Sequence, residues 1–522
     1  MLRRRRVVLC GVLLSLTVTF FVFQVQWTRK PAAEKAAVER LQDGETLRVV
    51  HLDLKGAPPK MRVLKTLIPL IAAAGANALL LEYEDMFPFV GMLQNASARN
   101  AYSREEIHQL LVYARKSGLE VIPLVQTFGH LEYILKLPEF RHFRELSGFP
   151  QEICPSNPDV FRVLVQELIE QVMSLHPTAK WLHIGCDEVF HLAACTRCTS
   201  RYMEGRLLFT EHVVRVARFV RDRFPGITPL MWDDMLRHWL PVDLADSGLG
   251  ELVEPMVWVY SEDVARQLPH YMWYMYGRVF SHVWVASAYK GAYGETALAP
   301  DLRRHSENNL AWLRIMRSTK GVQFRGMVLT GWARYDHFAV LCELLPVSVP
   351  SLLLNLLLVS HPLSSKSQVI VQWTQALSCP PAFTPNALFD SDPFQWHLGA
   401  CTFLGSNLFS AVANYVTLQA RVDSLYTDMT QRHGWLTMYN VRHNFSSPWR
   451  VLDALTNGQR LVRELDAFRN STALIMLQYF DRFTVDEWLE QKVDYLTEKM
   501  VSLQRYVQTL IARDTWQRRP IS

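Results

Sequence analysis

The sequence has little net charge once its first few residues are set aside. The formal net charge of the 522-residue chain is +5, and four of those charges belong to the arginines at positions 3–6. The rest of the chain therefore lacks the large excess of positive charge that is typical of nucleic-acid-binding proteins. Charged residues make up 20% and hydrophobic residues 49% of the chain, which excludes wholesale disorder. We expect a globular protein with one large domain, a smaller one, and no nucleic-acid partner.

Cysteine is also scarce, with eight residues in the whole chain, so a disulfide scaffold is excluded. Cys195 and Cys198 form a C-x-x-C pair, but no second Cys/His pair at zinc spacing lies nearby in the sequence. A local disulfide or two free thiols are therefore favoured over zinc. The first strand is not followed by a glycine-rich phosphate turn, which disfavours a doubly wound nucleotide-binding sheet. No cofactor and no metal ion are predicted.

An apolar run near the N-terminus predicts a membrane anchor. Residues 7–27 carry no charge and are long enough to span a bilayer, and the arginines before them are expected to stay in the cytosol. A cleaved signal peptide is the alternative, although its apolar part is usually shorter and no clean A-x-A site follows. We expect a cytosolic tail (1–6), a signal-anchor helix (7–27), a stem (28–46) and a lumenal catalytic part. Golgi, endoplasmic reticulum or other endomembranes are the predicted location, with cytoplasm, nucleus or secretion as alternatives.

From residue 47 onward, short apolar runs alternate with helical patterns. The helical patterns fall at 61–74, 103–117, 159–174 and 205–223. This alternation predicts an α/β fold, a (β/α)8 TIM barrel over 47–365, with a helical C-terminal extension at 366–522. Eight runs are typical of buried strands: 47–52, 78–81, 121–125, 181–184, 227–231, 255–259, 279–285 and 326–329.

The run at 181–184 ends at Gly185 and is followed by two adjacent carboxylates, Asp187 and Glu188. Most Asp-Glu pairs are solvated surface residues. At the end of a buried barrel strand, however, two acids face a pocket and are costly unless they act chemically. Because a strand tip bends, both acids can reach one ligand, and this suits acid chemistry on an acetal.

Other strand tips carry polar and aromatic residues that we expect at the same rim. A single tryptophan at a strand end is more often a core residue, but several beside carboxylates suit a pyranose. The CH faces of such a sugar stack on aromatic rings while its hydroxyls bond to acids. These candidates are Asp53, Glu82, His130, Trp232, Asp233, Trp258, Tyr260, Trp284, Tyr289, Trp332, Tyr335 and Asp336.

Residues 183–188, His-Ile-Gly-Cys-Asp-Glu, resemble the H-x-G-x-D-E signature of glycoside hydrolase family 20, the β-N-acetylhexosaminidases. Cys186, where many members have a second glycine, resembles one branch of that family. The resemblance covers roughly residues 47–345. It implies a retaining exo-enzyme that removes terminal GalNAc or GlcNAc from a glycan substrate. Asp187 would hold the 2-acetamido group, Glu188 would be the general acid/base, and the acetamide itself would attack to form an oxazolinium.

The resemblance implies further site roles. His130 resembles the family's histidine near the end of the third strand, and His183 would steady the catalytic loop. Three tryptophans, at 232, 258 and 332, resemble the aromatic walls around the N-acetyl group and the sugar face. Tyr289 is the candidate for the tyrosine that bonds the acetamide carbonyl, with the tyrosines at 260 and 335 as rivals. Many members carry an acid two positions after the last tryptophan, where this chain has Arg334. Asp336 is the candidate substitute.

Two other functions are alternatives to this one. A chitinase-like barrel requires D-x-D-x-E rather than an adjacent pair. A membrane-tethered, lectin-like barrel would bind amino sugars without hydrolysis; the intact carboxylate pair disfavours it, while Arg334 and Cys186 leave it open. In the extension, a capping pattern at 484–487 precedes apolar residues at heptad spacing over 489–510. This stripe predicts either packing back against the barrel, which is favoured, or a homodimeric coiled coil.

Overall fold

The computed structural model describes residues 46–381, 383 and 392–521. Within these ranges, eight parallel strands close into a barrel in the order β1-β10-β9-β8-β7-β6-β3-β2, and an antiparallel pair, β4 and β5, stands outside it. The strands are β1 (Leu47–Asp53), β2 (Ala78–Glu82), β3 (Glu120–Leu124), β4 (Arg144–Leu146), β5 (Phe149–Ile153), β6 (Trp181–His183), β7 (Thr228–Trp232), β8 (Glu254–Trp258), β9 (Val283–Lys290) and β10 (Phe324–Gly331).

A helix follows each barrel strand, so the predicted (β/α)8 barrel is confirmed. The barrel helices are α1 (Met61–Ala73), α2 (Arg104–Lys116), α3 (Gln166–Leu175), α4 (Gly205–Arg223), α5 (Pro241–Asp246), α6 (His270–Val279), α7 (Leu302–Ser318) and α8 (Val349–Ser360). The later helices are α9 (Lys366–Ala376), α10 (Ser406–Thr427), α11 (Pro448–Met476), α12 (Arg482–Leu489) and α13 (Tyr495–Ile511).

Shorter elements complete the secondary structure of the described ranges. Brief α-helices lie at Glu132–Leu135, Thr196–Thr199, Val264–Gln267 and Met438–His443. Single π-helical turns lie at Val160–Val165, Asp428–Arg432 and Glu490–Asp494. The 3₁₀ turns are Glu84–Met86, Gly91–Ala96, Pro138–Phe143, Leu249–Glu251, Leu345–Ser348 and Trp396–Ala400.

The barrel interior is a packed core rather than a channel. Inward-facing side chains from alternate positions, among them Leu80, Leu124, Leu230, Met256 and Val328, are fully buried or nearly so and contact one another. A second apolar layer fills the space between strands and helices. Because apolar side chains block the interior, a ligand can bind only at the rim, and this fold places its chemistry at the carboxyl ends of the strands.

Strand β9 differs from its predicted position. The sequence pattern suggests 279–285, whereas the strand is Val283–Lys290, because the apolar run at 279 is still the end of helix α6. Trp284 therefore lies at the start of β9, opposite Gly326, and donates a hydrogen bond to Glu254 Oε2 (2.7 Å). Its assignment to the substrate rim is wrong, since it belongs to the opposite end of the barrel.

The C-terminal apolar stripe is occupied within the chain. The apolar residues of the stripe, from Leu489 to Leu510, are buried, and α13 packs mainly on α11 and α10. The predicted cap is also displaced: Asp481, not Thr484, caps α12 by accepting the Thr484 N–H (3.1 Å). The Thr484 hydroxyl instead donates to Gly56 O (3.0 Å), and in this way α12 contacts the barrel rim. The described structure therefore gives no support to the coiled-coil homodimer.

None of the helices in the described ranges combines the length and apolar character needed to cross a membrane. The predicted anchor at 7–27 lies outside those ranges.

Candidate active site

A cavity of about 200 Å³ opens at the carboxyl ends of the barrel strands. It brings together nine of the predicted residues: Glu82, His130, Asp187, Glu188, Trp232, Trp258, Tyr260, Trp332 and Tyr335. Four residues that the sequence did not single out also line it: Lys55, Gln126, Gly291 and Ala292.

A tight turn directs the two carboxylates into this cavity. Gly185, Cys186 and Glu188 all have positive φ (69°, 71° and 48°), so the chain winds left-handed directly after β6. Such a conformation is unfavourable for a residue with a side chain and persists only where neighbours enforce it. His183 helps to enforce it, because its Nδ1 accepts the Gly185 N–H (3.1 Å) and burial lowers its pKa, keeping the ring neutral. Thr127 also donates to Ile184 O (2.7 Å).

We expect Gly185→Ala to reduce both stability and activity. A Cβ at position 185 would overlap Gln126 Oε1, and the positive φ adds strain, so the free energy of unfolding should fall by about 2–3 kcal/mol. Gly118→Ala is the matched control, because Gly118 has a similar φ (73°) but open space around its Cβ position. The free energy of unfolding of Gly118→Ala should fall by only about 1 kcal/mol, and the variant should keep its activity. Denaturant unfolding and kcat measure both effects, and equal losses would contradict the steric explanation.

His130 bridges the carboxylate pair. Its Nε2 lies 3.4 Å from Asp187 Oδ2 and 3.3 Å from Glu188 Oε2. Burial alone would lower the pKa of His130, but the carboxylates of Asp187, Glu188 and Glu132 raise it to about 10, so the ring is a cation at neutral pH. Burial, with the nearby Asp234 and Glu188 carboxylates, raises the pKa of Asp187 to about 7 against the opposing effect of His130. Asp187 thus titrates near neutral pH.

Asp234, rather than the predicted Asp233, supports the carboxylate loop. Asp234 Oδ2 accepts the Glu188 N–H (2.9 Å), and its Oδ1 accepts from Trp258 Nε1 (3.2 Å). Asp233 points away from the cavity, where Arg237 and Tyr276 donate to its Oδ2 (3.2 and 3.1 Å). The two side chains point in different directions because successive residues at a strand end alternate in direction. Asp234 therefore lies on the same side as Trp232, which lines the cavity.

Aromatic side chains form much of the cavity wall. Trp332 Nε1 donates to the Tyr260 hydroxyl (2.9 Å), and the Trp332 ring lies 5.9 Å from that of Trp232. Trp258 lies against Tyr260 with ring centroids 5.4 Å apart. Burial raises the pKa of Tyr260, so its hydroxyl stays protonated. These rings offer flat apolar faces beside hydrogen-bonding groups, which is the arrangement that a sugar ring requires.

A buried charge cluster forms the side of the cavity near β1 and β2. Lys55 Nζ lies 3.2 Å from Asp53 Oδ2, 3.3 Å from Glu84 Oε1 and 3.8 Å from Glu82 Oε1. Burial alone would lower the pKa of Lys55, but these carboxylates raise it, so the ammonium stays charged. Asp53 does not line the cavity; its Oδ2 accepts the Ala333 N–H (2.6 Å) and so fixes the residue after Trp332.

A family profile described as "Glycosyl hydrolase family 20, catalytic domain" matches residues 62–268. Hexosaminidase D of Homo sapiens is 40% identical over 474 residues, covering 88% of this chain and 93% of that protein. The chain belongs to glycosyl hydrolase family 20. Hexosaminidase D of Bos taurus is 45% identical over 322 residues, covering 60% of this chain and 92% of that protein. A β-N-acetylhexosaminidase from Bacteroides fragilis NCTC 9343 superimposes with a TM-score of 0.48 at 16% identity, over 63% of this chain and 70% of the other.

This family-20 chain is a glycoside hydrolase, a β-N-acetylhexosaminidase, and its reaction is hydrolysis of terminal N-acetylhexosamines. Cys186, in place of the second glycine of the signature, favours the hexosaminidase D branch, and the two relatives of that name confirm this interpretation. The cysteine is fully buried, with its Sγ 3.3 Å from Thr127 Oγ1, so its side chain packs under the turn rather than facing substrate.

Two further candidates, Tyr289 and Asp336, lie outside the cavity of this family-20 enzyme. Tyr289 is fully buried and donates to His51 O (3.2 Å), because β9 extends to residue 290 and carries it into the core, so its predicted contact with the acetamide is wrong. Asp336 accepts the N–H groups of Phe338 and Ala339 (2.7 and 2.8 Å) and thus caps its own loop.

Arg334 is likewise withdrawn from the cavity of the enzyme. Its guanidinium is buried and forms a two-point ion pair with Glu487 of α12 (2.7 Å for each contact). It also donates to Ala339 O (2.6 Å). Arg334 therefore joins the rim to the C-terminal helices, and neither it nor the predicted substitute Asp336 lines the cavity.

Proposed function

We propose that the protein is a retaining exo-β-N-acetylhexosaminidase that removes terminal GalNAc or GlcNAc from glycoconjugates by substrate-assisted catalysis. The observation that carries the proposal is the arrangement of Asp187, Glu188 and His130 at one end of the cavity. The acetamide oxygen of the substrate attacks the anomeric carbon, an oxazolinium forms, and water opens it with net retention. No enzyme nucleophile is needed in such a sequence.

Asp187 is suited to hold the acetamide. Its Oδ1 is buried and accepts no hydrogen bond from the protein, while its Oδ2 faces His130. An unpaired buried carboxylate oxygen is costly, so a substrate N–H that reaches it gains more than it would in water. As positive charge develops on the acetamide, the ionised Asp187 stabilises it, and this interaction is stronger in the transition state than in the ground state.

Glu188 is suited to donate the proton to the leaving group. About 37% of its side chain is exposed, against 11% for Asp187, so it lies nearer the cavity mouth where the aglycone departs. The Asp234 carboxylate holds its backbone, and His130 contacts its Oε2. After the aglycone leaves, the Glu188 carboxylate accepts a proton from the water that opens the oxazolinium.

The closed floor of the cavity supports exo action. Trp232 is almost fully buried there, and the barrel interior beneath it is filled by apolar side chains. A sugar at a chain end can enter such a pocket, whereas a continuous chain cannot pass through it. Lys55 and Glu82 line the wall and offer a cation and a carboxylate to the sugar hydroxyls. They would take over the role of the acid that many family members carry at the position of Arg334.

We expect Asp234→Asn to lower kcat by about 10–100-fold, since misplacing a catalytic group by even ~1 Å costs that much. An amide offers only one oxygen to the two donors on Glu188 and Trp258.

In the parent enzyme, kcat/KM should fall as the pH drops through about 7, because protonation removes the charge of Asp187. Asp234 raises the pKa of Asp187, so the variant should shift this acid limb to lower pH.

Asp233→Asn is the matched control for this pH profile. It removes the neighbouring carboxylate and leaves the Arg237 charge without its ionic partner, so Tm should fall. The acid limb of kcat/KM should stay in place, because Asp233 faces away from Asp187. A limb that moves in both variants, or in neither, would exclude Asp234 as the positioning residue.

A panel of chromogenic β-glycosides tests the proposed function directly. We expect hydrolysis of aryl 2-acetamido-β-glycosides and retention of configuration in the first-formed product. The matched β-galactoside and β-glucoside, which lack the acetamide, should be cleaved at least about 10³-fold more slowly, since the assisting group is absent. Binding of the amino sugar without turnover would instead support the lectin-like alternative.

We further propose that residues 7–27 anchor the enzyme in an endomembrane with its barrel in the lumen. The charge-free run and the arginines before it support this topology. After carbonate extraction of a membrane fraction, the full-length chain should remain in the pellet, and intact vesicles should protect it from added protease. Release into the supernatant would contradict the anchor.

A further inference from the structure

Away from the active site, three thiols and a carboxylate from separate segments meet at one point. Glu145 lies on β4, Cys154 directly follows β5, and Cys195 and Cys198 lie in the segment after the Asp-Glu pair. Their ligand atoms all lie within 4.8 Å of one another. Cys195 is half-buried and the other three residues are buried.

We propose that this cluster, Glu145-Cys154-Cys195-Cys198, is a structural zinc site. The Sγ of Cys154 lies 3.4 Å from that of Cys195 and 3.7 Å from that of Cys198. With Zn–S bonds of about 2.3 Å, two thiolates on a tetrahedral zinc stand about 3.8 Å apart. The observed sulfur–sulfur distances are close to this edge length and far beyond a disulfide bond of about 2.05 Å.

The carboxylate fits the fourth corner of the same tetrahedron. Glu145 Oε2 lies 3.4 Å from Cys198 Sγ, and a Zn–O bond of about 2.0 Å predicts a sulfur–oxygen edge of about 3.5 Å. The other oxygen, Oε1, accepts the N–H groups of Ala194 and Cys195 (2.7 and 2.8 Å). These hydrogen bonds fix the orientation of the carboxylate, as outer-shell partners do in metal sites.

Nearby donors suit a cluster of thiolates. The Cys198 N–H points at Cys195 Sγ (3.4 Å), and Ser156 Oγ lies 3.1 Å from Cys198 Sγ. Arg201 donates to Ser156 Oγ (3.4 Å) and brings a positive charge to this side. Three soft sulfur ligands at tetrahedral spacing favour zinc over calcium or magnesium, which require oxygen ligands.

A disulfide accounts for only part of this arrangement. It would join two of the three thiols and leave the third beside a buried carboxylate. Four protein ligands, in contrast, use every group in the cluster and leave no open coordination position, which is typical of a structural rather than a catalytic zinc.

The site would fasten the segment that follows the catalytic pair. Zinc would connect residues 195–198 to the β4–β5 hairpin, in addition to the hydrogen bonds that Glu145 and Glu152 of the hairpin accept from this segment. The Glu152 carboxylate accepts the N–H groups of Phe190 and His191 (3.0 and 3.3 Å). Since Glu188 lies only two residues before Phe190, the metal would restrict the mobility of the proton donor without touching substrate.

Metal analysis of the protein tests this proposal. The full chain, purified without chelators and without an immobilised-metal column, should contain one zinc ion per chain by inductively coupled plasma mass spectrometry. Replacement by Co²⁺ should produce the intense near-ultraviolet thiolate-to-cobalt absorption and the visible bands of a tetrahedral site. Stripping the metal with a chelator should lower Tm by about 5–10 °C, because only the folded state assembles all four ligands.

Cys154→Ser and Cys198→Ser should each reduce the zinc content to near zero. Cys342→Ser is the matched control, because Cys342 is also a buried free thiol but lies outside the cluster. If a cluster variant fails to fold, the metal content and cobalt spectrum of the unmodified protein still decide. Unmodified protein that contains no zinc and takes up no cobalt overturns the proposal, whether thiol mapping finds a disulfide in the cluster or three free thiols.

Discussion

Glu188→Gln should lower kcat by about 10²–10⁴-fold toward a substrate with a poor leaving group, such as an unactivated disaccharide. Glutamine retains the size of the side chain and its contact with His130 but cannot supply the acid proton. A substrate with an activated aryl leaving group needs less protonation, so its first step should be slowed much less. The dependence of kcat on leaving-group pKa should therefore become steeper in the variant, and steady-state kinetics with an aryl series measures this slope.

Glu120→Gln is the matched control for that experiment. Glu120 begins β3 at the opposite end of the barrel and pairs with Lys180 at the surface (2.6 Å). The same chemical change there should leave kcat and its leaving-group dependence unaltered. If Glu188→Gln cleaves the disaccharide as fast as the parent enzyme, Glu188 is not the general acid.

Asp187→Asn should lower kcat and kcat/KM together by about 10²–10³-fold while KM stays nearly unchanged. The loss of one preorganised electrostatic contact in a transition state typically lowers the rate by about this factor. Asp187 Oδ1 has no partner within the protein, so it is free for the substrate amide, and the neutral asparagine cannot offset the charge of the oxazolinium. Steady-state kinetics on an aryl 2-acetamido-β-glycoside measures both constants.

A thiazoline analogue of the intermediate gives a second measurement of the same role. It should bind the parent enzyme far more tightly than the sugar product does, since it reproduces the fused-ring shape of the oxazolinium. Asp187→Asn should abolish most of that preference while binding the product almost as before. A protein that only binds amino sugars would show similar affinity for both compounds and no turnover. Equal cleavage of substrates with and without the acetamide would rule out substrate assistance.

The strands were predictable because buried parallel strands are continuous apolar runs, as at Ala78–Glu82. The error in β9 has a simple cause: Val279 and Phe280 end helix α6 and Val283 begins the strand, and only Ser281 and His282 separate these two apolar stretches. That error alone misplaced Trp284 at the rim and Tyr289 near the acetamide. Asp234 was within reach of the sequence, since a two-residue period from Trp232 leads to it rather than to Asp233.

Other features depend on tertiary contacts and leave no local trace. A lysine two residues beyond a strand tip is ordinarily solvated, and only the carboxylates of Asp53 and Glu84 explain why Lys55 is buried at the cavity. Cys154 lies 41 residues before Cys195, so no spacing rule connects them. The β4–β5 hairpin that brings Cys154 into place interrupts the βα alternation and was not predicted.

The ion pair between Arg334 and Glu487 has a consequence for how the enzyme is made. Domains fold from the N-terminus during synthesis, at about 5–20 residues per second, so Glu487 is added roughly 8–30 s after Arg334. During that interval the last barrel strand is already available, but the buried guanidinium two residues beyond Trp332 lacks its counter-charge. The nascent rim can thus adopt its final form only near the end of translation. Premature termination within the last helices should yield chains that quality control recognises as incomplete, even though every catalytic residue has been synthesised.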